Sequence, residues 1–281
     1  MIRKCYPYGK KKAFNVTYDD GVLQDVRFVK LLNRYGLKGT FNLNSALMEN
    51  EFEWVHETGC VVKRLSTDVV KSLYAGHEVA SHTLHHPYMY GLSKEGVMWE
   101  LSQDKRNLEV IFGEKIKGFA VPFDYYSELI EECVKECGFA YGRISEMSHS
   151  FRPQHDYYNW KATVFHCDDA LEELTQQFAE ADDELAVFQI VGHSYDLDAE
   201  DMWERMENIF KAIGGQEDVL PMTMIEMVEY LQAMDLAEIT EESIWNRSDR
   251  SLWFDLDGLV CEVQPADQPE RYDVKKERPN R

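Results

Sequence analysis

Short runs of small, β-branched and aromatic residues alternate along this chain with longer stretches in which apolar residues recur every three or four positions, the pattern of strands separated by helices. Residues 12–17 read as a strand. Val22, Val26, Val29 and Leu32, widened by Phe28 and Leu31, then trace one face of a helix that Gly36 closes. Residues 38–43 read as a second strand, and 44–65 break the rhythm as an irregular, polar-aromatic insertion suited to a lid. A helix opening at Ser66-Thr67-Asp68 carries Val69, Val70, Leu73 and Tyr74 as its apolar set, and a strand at 78–80 follows. Ser93 caps a helix to about Phe112. A strand at 118–121, a helix from Ser127 to Cys137 closed by Gly138, strands at 139–144 and 158–165, and a helix from Asp169 to about Ala181 continue the series. Residues 185–191 are almost continuously apolar, as in a parallel strand buried on both faces. Helices at about 199–213 and 224–234 end the rhythm.

Strand–helix units in series predict a parallel sheet, and about seven of them predict an α/β fold of the distorted (β/α)7 barrel type. In such barrels chemistry collects at the C-terminal ends of the strands. Past residue 236 the alternating segments 251–256 and 259–263 flank Asp257-Gly258, a two-residue hairpin signal. The expected organisation is a barrel domain over residues 1–235, followed by a small C-terminal β-hairpin appendage and polar tail over 236–281. The last fifteen residues are expected to fray.

Composition narrows the partners. A net charge of −21 over 281 residues repels phosphate backbones and anionic lipid, so neither nucleic acid nor membrane is an expected partner. No run approaches the roughly 20 apolar residues of a membrane span. Residues 1–12 are charged but lack the apolar core of a signal peptide. The six scattered cysteines read as reduced thiols, and the expected compartment is the cytoplasm. Homo-oligomerisation is left open.

Three polar clusters each follow a strand. Asp19-Asp20-Gly21 pairs two carboxylates whose side chains diverge, so that one can bind a metal while the other accepts a proton; taken alone, the motif reads more readily as an Asx turn with Asp20 capping the helix. His82, His85 and His86 fall within five residues and are followed by Pro87, which keeps His86 out of the helical region. Imidazoles in such a cluster are ligands for zinc, cobalt, nickel or iron, and the spacing allows either His82 with His86 or His82 with His85. His193 ends the most apolar strand, where an imidazole can protonate a leaving group.

These residues resemble the motifs of the polysaccharide deacetylases, carbohydrate esterase family four. Thr17–Gly21 is similar to the TFDDG motif, with Tyr18 for phenylalanine; His82–Pro87 to H-[ST]-x-x-H-P; and Ile190–His193 to L-x-H. Thr40-Phe41-Asn42-Leu43 is similar to the family's A-T-F-F segment. The resemblance selects His86 over His85. It implies one divalent metal, zinc first with cobalt, nickel or iron as alternatives, held by Asp20, His82 and His86. It further implies Asp19 as general base, the backbone N–H of Phe123 as an oxyanion donor, and His193 as general acid. The family's R-P-P-Y motif reads here Ala120-Val121-Pro122-Phe123, without its arginine, and Arg143 near the end of the next strand is the expected replacement. The fourth motif is blurred among Trp160, His166 and Asp168, with Asp168 expected to orient His193. The implied activity is removal of acetyl groups from a small N- or O-acetylated sugar or oligosaccharide, with Tyr88, Tyr90, Phe123 and Tyr125 as stacking surfaces. The alternatives are a C–N hydrolase acting on a small non-sugar amide or imide, and a non-catalytic metal- or sugar-binding homologue in which Arg143 points away from Asp19.

Overall fold

The computed structural model describes residues 2–48, 52–241, 243–266 and 272–273. After a short strand, Ile2–Cys5 (β1), the chain enters the barrel at Lys12–Asp19 (β2), all 8 residues of which are buried. Helix Asp25–Arg34 (α1) leads to Gly39–Leu43 (β3), helix Ser45–Met48 (α2), a hairpin of Glu53–Val55 (β4) and Val61–Lys63 (β5), and helix Thr67–Leu73 (α3). Then come Glu78–Ser81 (β6), Lys94–Phe112 (α4), Gly118–Ala120 (β7), Glu128–Glu136 (α5), Tyr141–Met147 (β8), Trp160–Ala162 (β9), Val164–Phe165 (β10) and Leu171–Glu180 (α6). Ala186–Gly192 (β11), Ser194–Ala199 (α7), Trp203–Gly214 (α8), Val219–Pro221 (β12) and Met224–Asp235 (α9) complete the barrel region. Among the described residues, no helix is long and apolar enough to cross a membrane.

The sheet runs β10-β11-β2-β3-β6-β7-β8-β9 and every adjacent pair is parallel. The segment expected as one strand over 158–165 is two. Its first half pairs with β8 and its second with β11, so a single stretch of chain nearly closes the ring. Thr163 makes the join, its N–H donating to the Gln189 carbonyl at 2.9 Å. The 44–65 insertion contains the β4–β5 hairpin.

Strand alternation sorts β2 into two faces. Phe14, Val16 and Tyr18 belong to the core between sheet and helices, while Ala13, Asn15, Thr17 and Asp19 occupy the other face, inside the barrel. That interior is a hydrogen-bonded polar stack. Trp160 Nε1 donates to Gln189 Oε1 at 2.9 Å, Gln189 Nε2 to Asn15 Oδ1 at 2.8 Å, and Asn42 Nδ2 to Thr17 Oγ1 at 2.8 Å. Helix α9, with a Thr223–Glu226 capping box, is packed with Ala13, Ala80 and Tyr141 at the far end of the barrel. The C-terminal region adds Glu238–Ile239 (β13) and Ser243–Trp245 (β14), then the expected hairpin, Leu252–Leu256 (β15) and Leu259–Val263 (β16). Asp257 and Gly258 both have positive φ (57° and 95°), as a type I′ turn requires. β15 also pairs antiparallel with β1, which the sequence pattern had not marked, so the two ends of the chain share one small sheet. Most of the tail expected to fray lies outside the described residues.

Glu78 is buried in the barrel, accepting from Tyr141 at 2.8 Å and from Thr40 and the Ile225 N–H at 2.8 Å each, and burial pushes its pKa up to about 7. A carboxyl whose folded pKa lies above its unfolded value of about 4.3 holds a proton the unfolded chain releases, so the stability it contributes declines as pH rises through that interval. Buried neutral imidazoles act oppositely below about pH 6.5, so the clean reading is a difference. Relative to the native chain, Glu78→Gln should gain on the order of 3 kcal/mol between pH 4.5 and 8. Denaturant melts at both ends check this; a constant difference between the two proteins contradicts it.

Candidate functional site

The C-terminal ends of β2, β6 and β11 surround a hollow of about 280 Å³ lined by Asp19, Asp20, His82, His86, Arg143 and His193, among others. A larger hollow of about 700 Å³ lies at the opposite end of the barrel. Four of its charged side chains pair with one another, Lys38 with Glu226 at 2.6 Å and Arg250 with Glu229 at 3.0 Å, and among the described residues it holds no cluster of histidines and carboxylates, so size does not mark the reactive end.

Continued alternation would send Asp20 to the outer face, opposite Asp19. Instead Asp20 adopts a left-handed φ of 86°, followed by Gly21 at 62°, and both carboxylates line the hollow. That conformation costs a non-glycine residue about 1 kcal/mol. Arg64, from the end of the insertion, offsets it: Nη1 donates to the Asp20 carbonyl and, at 2.8 Å, to Asn44 Oδ1, while Nη2 lies 3.0 Å from Asp20 Oδ1. Arg64 is buried and had no signal in the sequence, because its partner is reached only through the fold. Arg143 projects from β8 and places Nη2 2.6 Å from each oxygen of Asp19, and Asn42 Nδ2 donates to Asp19 Oδ1 at 2.7 Å. Burial opposes ionisation of both carboxylates, but the opposite charges outweigh it. Arg143, with His193, holds Asp19 below the usual range, and Arg64, with His193, holds Asp20 well below it.

His82 is almost fully buried, and its Nδ1 lies 2.8 Å from the Ala120 carbonyl. A carbonyl only accepts, so Nδ1 carries the proton and Nε2 keeps its lone pair. Burial pushes the His82 pKa down to about 4 and lowers that of His86, which keeps both rings neutral, as ligands must be. His86 reaches the same space through a φ of 55°, and its Nε2 lies 3.5 Å from Asp20 Oδ1. One donor atom each from Asp20, His82 and His86 falls within 4.8 Å of the other two. Asp20 Oδ1 is buried and accepts no aligned hydrogen bond, with the charge of Arg64 beside it at 3.0 Å. An oxygen–nitrogen–nitrogen set whose carboxylate oxygen lacks a hydrogen bond fits a divalent ion such as zinc. His85 is outside the group, bonded to Glu100 at 2.9 Å on the surface.

His193 caps the start of α7 and presents Nδ1 to Asp196 Oδ2 at 3.0 Å. Burial alone would lower its pKa. The hydrogen bond to Asp196, then the charges of Asp20 and Asp19, raise it to about 9. The expectation for Asp168 is therefore corrected. Asp168 is partly exposed, accepts from the Ala170 N–H at 2.8 Å at the start of α6, and meets His149 at 2.9 Å. The carboxylate beside His193 is Asp196, three residues later on the same short helix. Trp160 is buried in the barrel stack, away from the hollow. His166 is fully buried behind Asp196, with Nε2 3.0 Å from the same Oδ2.

The rim is aromatic on two sides. Phe123, with a φ of 57°, packs 4.6 Å from His86 and 5.1 Å from Tyr88, and Tyr90 meets Tyr125 at 5.1 Å. Opposite, Tyr195 stacks on His193 at 4.9 Å and Trp54 of the β4–β5 hairpin meets Tyr195 at 5.5 Å. Tyr195 and Trp54 were not singled out in the sequence.

The family model for polysaccharide deacetylase matches residues 7–142, which include Asp19, Asp20, His82, His86 and Phe123. Residues 7–142 belong to the polysaccharide deacetylase family. The match stops just before Arg143, so the arginine on Asp19 and the His193–Asp196 pair come from the rest of the barrel. Solved structures extend the likeness of fold across it. A Mycobacterium smegmatis protein assigned as a polysaccharide deacetylase is 14% identical with a TM-score of 0.56, covering 85% of this chain and 96% of that one. The Xyl-CE4 domain of a multidomain xylanase from the hindgut metagenome of Trinervitermes trinervoides is 17% identical with a TM-score of 0.50, covering 79% and 92%. A mutant, with restored enzymatic activity, of a CE4 family pseudoenzyme from Bacillus anthracis is 17% identical with a TM-score of 0.50, covering 80% and 70%. No curated protein matches.

Proposed function

We propose that this chain is a metal-dependent hydrolase that removes acetyl groups from an N- or O-acetylated sugar or short oligosaccharide. Its family supports acetyl removal from sugars in general. The observation that carries the finer reading is the division of labour at the hollow: donors of Asp20, His82 and His86 converge within 4.8 Å, while Asp19 is engaged by Arg143 at 2.6 Å. In this reading Asp20, His82 and His86 hold one divalent ion, zinc before cobalt, nickel or iron. When bound, the ion supplies positive charge to the acyl oxygen and makes water more acidic.

The protein's residues do the remainder. Asp19 accepts the proton of the attacking water. Arg143 keeps that carboxylate ionised and fixes its direction, and the weak basicity that results suits only acidified water. The Phe123 N–H donates to the acyl oxygen as charge builds there. Asp196 holds the Nδ1–H of His193, leaving Nε2 as the nitrogen that protonates the departing sugar nitrogen or oxygen as its bond to the acyl carbon breaks. The products are acetate and the free amine or alcohol. A hollow of about 280 Å³ encloses an acyl group and its adjoining ring, with the rest of a ligand lying over the aromatic rim. This favours short conjugates. The non-catalytic alternative expected Arg143 to be directed away from Asp19, and it is not.

The test is acetate release from a panel of N- and O-acetylated mono- and oligosaccharides. Release should vanish on chelation and return with zinc or cobalt. Ion-loaded protein that releases acetate from no panel member, or release untouched by a chelator that removes the ion, would contradict the proposal.

A further inference from the structure

Tyr18 stands where the family motif has phenylalanine. Alternation along β2 turns it away from the hollow that Asp19 lines, into the layer between sheet and helices. Its ring stacks on Phe28 at 3.9 Å, a contact phenylalanine would make equally well. What phenylalanine lacks is the hydroxyl, which lies 2.8 Å from His166 Nδ1. The other ring nitrogen of His166 is 3.0 Å from Asp196 Oδ2, and that same oxygen is 3.0 Å from His193 Nδ1. A buried chain of hydrogen bonds thus runs from Tyr18 through His166 and Asp196 to His193.

Its polarity follows from chemistry. An ionised carboxylate only accepts, so both imidazole nitrogens facing Asp196 carry protons. His166 is fully buried and burial keeps it neutral, so a proton on Nε2 leaves a lone pair on Nδ1, and the phenol must donate to it. Without that hydroxyl the Nδ1 lone pair is left buried and unpartnered, and the ring loses the second bond that fixes its direction towards Asp196. The site for this ring is also shaped in the backbone. A Cβ on Gly192, the residue before His193, would fall 2.1 Å from His166 Nδ1, so the imidazole lies flat against β11 where only glycine leaves room. Helix α7, which carries Asp196, spans only 6 residues, and the His166 bond ties it to the turn after β10.

We propose that Tyr18 and His166 are positioning residues for His193: the Tyr18 hydroxyl donates to His166 Nδ1 and so fixes the direction of the ring whose Nε2–H donates to Asp196, and Asp196 so held fixes the orientation of the His193 ring. This rests on the reading of His193 as the proton donor to the leaving group.

The experiment combines tautomer and rate. In the native protein, 15N NMR of labelled histidine should show His166 with its proton on Nε2 and a hydrogen-bonded Nδ1, and Tyr18→Phe should shift the Nδ1 resonance to that of a free lone pair while the proton stays on Nε2. On an acetylated substrate, Tyr18→Phe should lower kcat about tenfold with KM unchanged. His166→Gln retains an amide N–H for Asp196 and should recover most of kcat. In that background Tyr18→Phe should cost less than about twofold, the non-additivity expected of residues acting as one unit. Ion content is measured for each variant, and a loss of ion that accounts for the fall in kcat overturns the pairing. A native His166 protonated on Nδ1, a kcat for Tyr18→Phe within twofold of native, or additive losses in the double variant each overturn it as well. The tautomer is read without substrate, so a chain that releases no acetate refutes the hydrolase reading while the NMR result still decides the Tyr18–His166 bond.

Discussion

Asp19→Asn should lower kcat by about 10²- to 10⁴-fold, the range for loss of a positioned general base, with ion content unchanged. The amide keeps the shape of the side chain but accepts no proton at neutral pH, and its NH2 must face the donor Arg143 in either orientation, and the donor Asn42 Nδ2 as well in one of them. Arg143 is buried and would lose its counter-charge. Leaving one partner of a buried ion pair unmatched costs roughly 3–5 kcal/mol, so the variant should also melt earlier. The two effects separate in the double variant Asp19→Asn with Arg143→Met, which removes both charges. Stability should largely recover and turnover should not. Near-native kcat in folded, ion-loaded Asp19→Asn would end the assignment of Asp19 as the base.

His82→Ala should abolish both ion binding and acetate release, with affinity falling at least about 100-fold, since even a residue that only supports a ligand is worth 10- to 100-fold. His82 is the best-fixed member of the group, almost fully buried with Nδ1 held by the Ala120 carbonyl at 2.8 Å. Its removal strands that carbonyl and deletes one of three donors. His85→Ala, three residues on, is the matched comparison. His85 pairs with Glu100 on the surface, and its loss should leave ion content and kcat within about twofold, because exposed pairs of this kind contribute little. Titration with zinc followed by elemental analysis decides between them. Stoichiometric zinc in His82→Ala, or loss of zinc in His85→Ala, would show that the cluster was divided wrongly.

The residues most legible in the sequence are those whose placement follows from local geometry. Asp19, Asp20, His82 and His193 come directly after or at the ends of buried strands, so once a parallel barrel is expected its strand ends gather them. Arg143 stands one strand beyond the motif that lacks its arginine, and its guanidinium meets Asp19. Motif order points to Asp168 as the carboxylate beside His193, but the turn after β10 holds Asp168 in a local bond from the Ala170 N–H, and the His193 partner comes from the first turn of α7. Arg64 could not have been found, since nothing in an irregular insertion says that its final arginine will bond to the Asp20 backbone.

By itself the sequence determined the alternation of strands and helices, the hairpin at Asp257-Gly258, and which side chains stand at strand ends, because each depends on periodicity or turn chemistry within a few residues. Tertiary structure alone decided that a divided strand nearly closes the ring, that β1 joins the C-terminal hairpin, and which charge faces which carboxylate. Those outcomes depend on distances between segments far apart along the chain, 124 residues from Asp19 to Arg143 and further still from Ile2 to Leu256, which no local period encodes.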